Sequence, residues 1–328
     1  MNDRVFGSGD LRFEHVSGWE HVPDGWHQFD VPAVCTDAAG NVYAFWRGDH
    51  RVVVYDRGGQ CVATWSHAPF DVRAHGIYMS PAQELYLVDE GTHSVGRFTP
   101  DGTFLTQFGP SGVPSDSGYD GENYRTVAFG APPYRRPTGA AVAPSGDVYV
   151  SDGYGNARVH RFTAHGTLIQ SWGGPGNELE QFHVPHAVWV HADGRVFVAD
   201  RENERIQIFT PDGRLQSHWT DVQRPQGIYI DAAGLVYIAE GSWPAGWESQ
   251  RRGPIATAEP GRISIYDTDG NVLARWTRPD PADPGHLLSP HGIWVDDEGS
   301  IFTCANVGTM GEHLGTGPAP ALLKFARL

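Results

Sequence analysis

The feature that most constrains this chain of 328 residues is a segment that recurs along it with a period of roughly 40 residues. Three of the copies read ELYLVDEGTHSVGRFTPDGTFLTQF, DVYVSDGYGNARVHRFTAHGTLIQSW and RVFVADRENERIQIFTPDGRLQSHW. Each copy offers short segments in which apolar and polar residues alternate, separated by turns that contain Gly or Asp. Such segments predict β-strands, and four strands per unit at this period are typical of a β-propeller blade.

Six copies can be aligned, and they occupy residues 31–65, 70–108, 134–173, 181–219, 223–276 and 287–328. The last copy ends on its third strand, ALLKFARL, and the N-terminal segment LRFEHVSGW predicts the missing outer strand. Helical periodicity is nearly absent. We therefore predict an all-β fold, a six-bladed β-propeller that forms a single domain over residues 1–328 and is closed by the N-terminal strand in the last blade.

Long insertions interrupt the repeat only between the second and third strands of a copy or between one copy and the next. They cover residues 109–136, 241–261, 277–289 and 306–321. Because neighbouring strands run in opposite directions, we expect all these connections on one face, where long loops on a rigid scaffold build functional sites.

Three histidines occupy the same position in every second copy, within AHGIYM, PHAVWV and PHGIWV. These are His75, His186 and His291, and the other copies carry Ala33, Thr138 and Gln226. In a closed ring, three imidazoles from alternate blades meet near the axis. Three imidazoles with an open fourth position are typical of a catalytic zinc site, and iron, manganese or copper remain alternatives.

Three further residues lie in the connection between the second and third strands: Arg47, Tyr154 and Arg201. Two guanidiniums beside a dication are costly to bury unless an anion neutralises them, so we expect a small-molecule substrate that bears a carboxylate. Tyr154 is the candidate general base. The acidic residues that precede this connection are expected to bond backbone amides in turns; they are Asp89, Asp152, Asp200 and Glu240.

The charge balance argues against two classes of partner. Lys and Arg total 24 against 39 for Asp and Glu, a net charge of −15, whereas nucleic acid and anionic membranes attract basic patches. Cys35, Cys61 and Cys304 are far apart in sequence, which indicates no disulfide framework. With no signal peptide recognisable in the first residues, we predict a cytoplasmic location; nothing in the sequence predicts an oligomeric state.

The motifs FWRGDH, AHGI, VSDGYGNAR, VPHAV, VADRENERIQIF and PHGI resemble those of NHL-repeat propellers, and within them the peptidyl-α-hydroxyglycine α-amidating lyases. The resemblance runs across nearly all blades. It implies that His75, His186 and His291 hold a catalytic zinc ion. It also implies catalytic roles for the arginine of RGDH, the tyrosine of SDGY and the arginine of ADREN, which are Arg47, Tyr154 and Arg201.

The resemblance further implies a structural calcium ion bound by the backbone carbonyls of Val34 and Ile77 and by an aspartate. That aspartate is Gly292 in this chain, so the site loses its charged ligand. Gly155 stands where the family has a cysteine, which fits a reducing compartment, and Ser289 stands where the family places a methionine near the substrate.

The resemblance therefore predicts a metal-dependent lyase that cleaves the C–N bond of an α-hydroxyglycine-type carbinolamide to an amide and glyoxylate or a related aldehyde. Tyr154 would act as base, while Arg47 and Arg201 hold the carboxylate. One alternative is a zinc-dependent hydrolase or hydratase that acts on another small carbonyl compound, imine or lactone at the same three histidines. A second alternative is a non-catalytic NHL propeller that serves as a binding platform.

Overall fold

A computed structural model describes residues 5–27, 29–48, 50–65, 73–280, 282–283, 285–314 and 319–328. The described residues form six antiparallel β-sheets of four or five strands, which confirms the all-β prediction. They fall into two compact units, one within Met1–Ala68, Gln226–Trp247 and Pro254–Leu328, the other within Pro69–Pro225 and Glu248–Gly253. That residues 1–328 form one domain stays a prediction.

The first unit contains the first, fifth and sixth blades. The first blade comprises β3 (Asp30–Thr36), β4 (Val42–Arg47), β5 (Val52–Tyr55) and β6 (Cys61–Trp65). The fifth comprises β19 (Pro225–Ile230), β20 (Val236–Glu240), β23 (Arg262–Tyr266) and β24 (Val272–Thr277). The sixth comprises β25 (Pro290–Val295), β26 (Ile301–Ala305) and β27 (Leu322–Arg327), joined by β1 (Val5–Ser8) and β2 (Leu11–His15).

The second unit contains the second, third and fourth blades. The second blade comprises β7 (Ala74–Met79), β8 (Leu85–Asp89), β9 (Ser94–Phe98) and β10 (Phe104–Phe108). The third comprises β11 (Gly139–Val142), β12 (Val148–Asp152), β13 (Arg158–Phe162) and β14 (Leu168–Trp172). The fourth comprises β15 (Pro185–Val190), β16 (Val196–Asp200), β17 (Arg205–Phe209) and β18 (Leu215–Trp219).

Regular structure outside the blades is sparse and lies in the long insertions. Among the described residues, it consists of the 3₁₀ turn Tyr124–Thr126, the helix α1 (Val307–Leu314) and the two-residue strands β21 (Glu248–Ser249) and β22 (Gly253–Pro254). In the described part of the chain, no helix has the length and apolar character needed to cross a membrane.

Burial within a blade follows the order of its strands. All five residues of β8 are buried, whereas four of the five residues of β10 are exposed or half-buried. The inner strands are covered on both faces by neighbouring sheets, so their sequences are continuously apolar, and the outer strands face solvent on one side. Because the middle of each inner strand is apolar, polar side chains lie at the ends of these strands.

The N-terminal strand closes the sixth blade, as predicted. In the register of β2 against β27, Phe13 lies opposite Arg327 and His15 opposite Phe325. The Phe13 ring stacks on Trp276 at a centroid distance of 5.6 Å and is fully buried. The sequence did not indicate β1, which pairs with β2 and makes this sheet five-stranded.

Candidate active site

The three histidines predicted as ligands lie at equivalent points of three blades, each as the second residue of an innermost strand. The register of β7 against β8 shifts between Ala74 and Gly76, which makes His75 the extra residue of a β-bulge. The same shift falls at His186 in β15 and at His291 in β25. Bulges re-aim a side chain and recur next to active sites, so the bulge explains why a strand residue can present its imidazole at the strand end.

His75 and His186 approach each other within the second unit. Both are buried, at 2% and 1% exposure, and their ring centroids are 4.7 Å apart. Nδ1 of His75 donates to the carbonyl of Thr138 at 2.7 Å. This bond places the proton on Nδ1 of the neutral ring, so Nε2 presents its lone pair.

His291 lies in the first unit and has the same tautomer. Its Nδ1 donates to the carbonyl of Pro32 at 2.7 Å, near the start of the adjacent inner strand β3. An imidazole that donates one N–H to a backbone carbonyl and keeps the other nitrogen basic is the arrangement found in metal-ligating histidines. The buried side chains of His75, His186 and His291 form a set among the described residues that could hold a metal ion.

The hydroxyl of Tyr154 lies at the meeting point of the polar groups in the second unit. It is 3.2 Å from Nε2 of His75 and 3.1 Å from Nε2 of His186, and it accepts a hydrogen bond from NH1 of Arg201 at 3.1 Å. The Arg201 guanidinium also lies over the Tyr154 ring, 5.1 Å from its centroid. Within the second unit, the structure therefore brings together four of the six residues that the sequence singled out.

Arg201 is held by a buried carboxylate that the sequence analysis did not single out. Nε of Arg201 donates to Glu202 Oε1 at 2.6 Å, and Arg224 donates to the same oxygen at 3.1 Å through NH2. Burial acts to raise the pKa of Glu202, but Arg224 and Arg201 outweigh it and hold the pKa at about 2. Burial likewise opposes the charge of Arg201, and Tyr154 and Glu202 raise the pKa of that guanidinium above its usual range.

Arg47 lies in the first unit and is also paired with an acid. Its NH1 is 3.5 Å from Oδ2 of Asp30, which is fully buried. Asp30 also accepts backbone N–H bonds from Gly308 and Thr309 in the first turn of α1, at 3.0 and 3.1 Å. Each arginine thus already faces a buried carboxylate, and the substrate carboxylate expected from the sequence stays a prediction. The carboxylate of Glu202, however, pairs with two arginines, Arg201 and Arg224.

The acids that end the second strands have the structural role expected of them. Oδ1 of Asp89 accepts the N–H groups of Gly91 and Thr92. Asp152 accepts the N–H of Arg135 at 3.0 Å, and Asp200 accepts the N–H of His183 at 2.8 Å. The last two bonds tie the segments that lead into the third and fourth blades to the strand ends beside Tyr154 and Arg201.

The carboxylate of Glu240 binds side chains of the next strand, β23. It accepts from Nε of Arg262 at 2.8 Å and from the hydroxyl of Ser264. Asp200 shows the cost of such burial, since desolvation raises its pKa to about 6 against the opposing effect of Arg205.

Position 292 has no room for the aspartate that a calcium site of the expected kind needs. A Cβ at Gly292 would lie 2.6 Å from Sγ of Cys304 and 2.9 Å from the carbonyl of Pro32. Val34 and Ile77, the residues expected to offer carbonyls, are buried strand residues in β3 and β7. Calcium binding therefore stays an untested implication of the resemblance.

Two other departures from the family pattern have visible consequences. A Cβ at Gly155 would collide with Arg135 and Tyr119, so the 109–136 insertion packs where the family has a cysteine side chain. Ser289 is buried, and its hydroxyl accepts from the N–H of Ser242 at 3.2 Å. The cysteines Cys35, Cys61 and Cys304 are free, as expected.

Sequence reasoning missed Glu202, Arg224 and Asp30. Glu202 follows Arg201 directly in sequence, and this adjacency could have indicated that Glu202 pairs with the candidate arginine. Arg224 and Asp30 are distant in sequence from the groups they bind, by 22 and 17 residues, so only folding reveals them.

Comparisons with known proteins identify a repeat family and relatives that this chain resembles. Residues 134–162 and 182–209 match the family model of the NHL repeat. The NHL repeat-containing protein 3 of Homo sapiens is 26% identical over 222 residues, covering 64% of this chain and 60% of that protein. The peptidyl-alpha-hydroxyglycine alpha-amidating lyase 1 of Drosophila melanogaster is 31% identical over 160 residues, covering 44% of this chain and 27% of that protein.

Among solved structures, a streptogramin B lyase matches with a TM-score of 0.58 at 14% identity, over 95% of this chain and 97% of that one. Identity at this level shows the fold alone. With its repeat matches and its sheets, the chain has the fold of a six-bladed β-propeller and contains NHL repeats. Among proteins of that class, it resembles the peptidyl-α-hydroxyglycine α-amidating lyases, of which it covers only part of the length.

Proposed function

We propose that the protein is a metal-dependent lyase that breaks the C–N bond of an α-hydroxyglycine-type carbinolamide, releasing an amide and glyoxylate. One observation carries this proposal: the Tyr154 hydroxyl sits between Nε2 of His75 and Nε2 of His186 and accepts a hydrogen bond from Arg201. A phenol in this setting is placed to exchange a proton with a substrate bound beside the imidazoles. The relative named as an amidating lyase supports the reaction class.

The reaction requires that a proton leave the carbinol hydroxyl while the C–N bond breaks. In the proposed step, the oxygen of Tyr154 takes the hydroxyl proton, and the electron pair of that O–H bond forms the aldehyde C=O. The pair of the C–N bond stays with nitrogen, which takes up the proton that the Tyr154 hydroxyl carried at the start and leaves as the amide, so Tyr154 ends the step protonated as it began. Arg201, which donates to the phenol oxygen at 3.1 Å, stabilises negative charge on it during the transfer.

The substrate carboxylate needs cationic groups near the reacting carbon. Arg201 is a candidate because it is fixed by Glu202 at 2.6 Å, so little side-chain freedom is lost when an anion binds. The family resemblance adds Arg47, which Asp30 holds in the first unit. We propose Arg201 as a carboxylate-binding residue on its contacts in the second unit, and Arg47 as another on the resemblance alone.

The three histidines fit a divalent metal ion, because the Nδ1 bonds of His75 and His291 leave Nε2 as the basic nitrogen. We propose that His75, His186 and His291 hold zinc or a similar ion. When bound, such an ion supplies Lewis-acid polarisation of a substrate oxygen.

Turnover of α-hydroxyhippurate by wild type, Y154F and Y124F tests the proposal. We expect glyoxylate from the wild type and a loss of kcat of about 100-fold or more in Y154F, since a general base contributes that much. Y124F removes a phenol oxygen that lies 3.4 Å from Gln250, on a ring that contacts His183, and should retain activity. Metal content should be equal in all three. Full activity of Y154F refutes the role of Tyr154, and no wild-type turnover refutes the lyase.

A further inference from the structure

Arginine recurs at one position of the repeat, two residues before the position of the histidine ligands. Arg73, Arg136 and Arg224 occupy it in the second, third and fifth blades, and the remaining blades carry Val31, Val184 and Ser289. The three arginines all belong to the second unit. None of them was singled out by the motifs that the resemblance rests on.

The backbone at this position is held in an unusual conformation. Arg136 has φ +66°, Val184 has φ +58° and Arg224 has φ +37°, and each precedes a proline. Left-handed φ values cost residues with a Cβ about 1–3 kcal/mol each, and they persist where the surrounding structure over-determines them. The fold therefore fixes the directions in which these side chains leave the blade.

Arg136 lies against the candidate base. Its guanidinium carbon is 5.4 Å from the centroid of the Tyr154 ring, and Arg201 lies 5.1 Å from the same centroid. NH1 of Arg136 donates to the Tyr119 hydroxyl at 2.7 Å, and its backbone N–H donates to Nδ1 of His93 at 3.0 Å. These bonds orient Arg136, which the 109–136 insertion delivers to the Tyr154 ring.

Four arginines of the second unit pair with two buried acids, and two of the four, Arg136 and Arg201, lie over the Tyr154 ring. Arg73 and Arg136 each lie 3.4 Å from a carboxylate oxygen of Glu90, while Arg201 and Arg224 share Oε1 of Glu202. Four guanidiniums thus face two buried carboxylates, in a chain whose net charge is −15. A cluster of arginines in a chain of net negative charge favours the binding of anions near these arginines.

We propose that Arg136, supported by Arg224 and Arg73, binds a second acidic group of the substrate, so that the site prefers dianions. This inference rests on the proposed function for the location of the reacting carbon. One carboxylate is assigned to Arg201 and Arg47, and the repeat arginines are left to recognise an acidic group on the acyl side of the C–N bond. Arg136 is the residue that determines this specificity, because its side chain is 16% exposed against 56% for Arg73.

Binding of an uncleavable pair of probes tests the preference without requiring catalysis. N-Succinylglycine carries two carboxylates, and N-succinamoylglycine replaces the acyl-side carboxylate by an amide of similar size. In calorimetry at low ionic strength, the wild type should bind the dianion about tenfold or more tightly than the monoanion. R136Q should lose this preference and R136K should retain part of it.

R125Q is the matched control, because Arg125 belongs to the same insertion, is 39% exposed and pairs with Glu248 instead. It should bind both probes as the wild type does. Equal binding of the two probes by the wild type, or an intact preference in folded R136Q, overturns the proposal. Turnover of α-hydroxyhippurate reports on the lyase separately, so a dianion preference in an inactive wild type would refute the lyase and leave the anion site standing.

Discussion

At the scale of single residues, the site depends on where a few side chains put their protons and charges. The bond from Nδ1 of His75 to the Thr138 carbonyl fixes which imidazole nitrogen is basic. The Tyr154 hydroxyl lies within 3.2 Å of Nε2 of both His75 and His186, and the basic Nε2 of His75 accepts its hydrogen. Glu202 then keeps Arg201 ionised and in place beside the phenol.

The charge of Glu202 predicts a pH-dependent contribution to stability. Its pKa is about 2 in the folded protein against an ordinary 4.5, so its ionised form stabilises the fold above pH 4.5 and this stabilisation fades as pH falls toward 2. E202Q should be less stable than the wild type at pH 6. The difference in free energy of unfolding should shrink by about 2 kcal/mol by pH 3, as measured by urea denaturation.

E248Q is the control for this series, because Glu248 forms an ion pair with Arg125 while 61% exposed. Exposed pairs contribute about 0–1 kcal/mol. A wild-type to E202Q difference that stays constant between pH 6 and pH 3 would contradict the assigned pKa.

At the scale of elements, the blade is a unit in which polar groups cluster at strand ends. The β-bulge in β7, β15 and β25 falls on the histidine each time, so the same distortion in three blades creates the three ligand positions.

The sixth blade is completed from the other end of the chain, because β2 supplies the strand outside β27. Stability of that blade therefore depends on residues about 300 positions apart in sequence.

Loss of a core side chain from β2 should destabilise the protein far more than loss of a like side chain from an exposed strand. Phe13 is fully buried against Trp276, and F13A should cost about 3–5 kcal/mol in the free energy of unfolding. Phe104, which begins β10 and is 52% exposed, gives the matched variant F104A, expected to cost about 1 kcal/mol or less. Similar losses in chemical denaturation would mean that β2 does not close the blade.

At the scale of the whole molecule, a metal ion bound by residues from several blades would stabilise the folded chain alone, since the unfolded chain does not assemble the ligands. Treatment with a chelator should lower Tm by about 5 °C or more, and zinc should restore it. Elemental mass spectrometry should find about one metal per chain, absent from H186A, whose Tm should not respond to either treatment.

H165A is the control for the metal experiment, because His165 is exposed in a turn of the third blade. It should behave as the wild type in metal content and in Tm. Absence of stoichiometric metal from the wild type would break the enzyme proposal at its first requirement.

The sequence by itself determined the repeat, its six copies, the closing strand and the alternation of the histidines. These follow from strand periodicity and turn residues, which are local properties that each copy displays. It also marked Tyr154 and Arg201, because they lie at fixed points of the repeat.

Only the tertiary structure decided which charges meet. The bonds of Glu202 to Arg224, of Asp30 to α1 and of Arg136 to Tyr119 join residues that lie in different elements. The bulges that turn the three histidines and the strand β1 were likewise invisible, since neither changes the apolar pattern. A period reports what each repeat has in common, whereas an ion pair depends on distances between particular repeats and insertions, and those distances are set only when the blades pack.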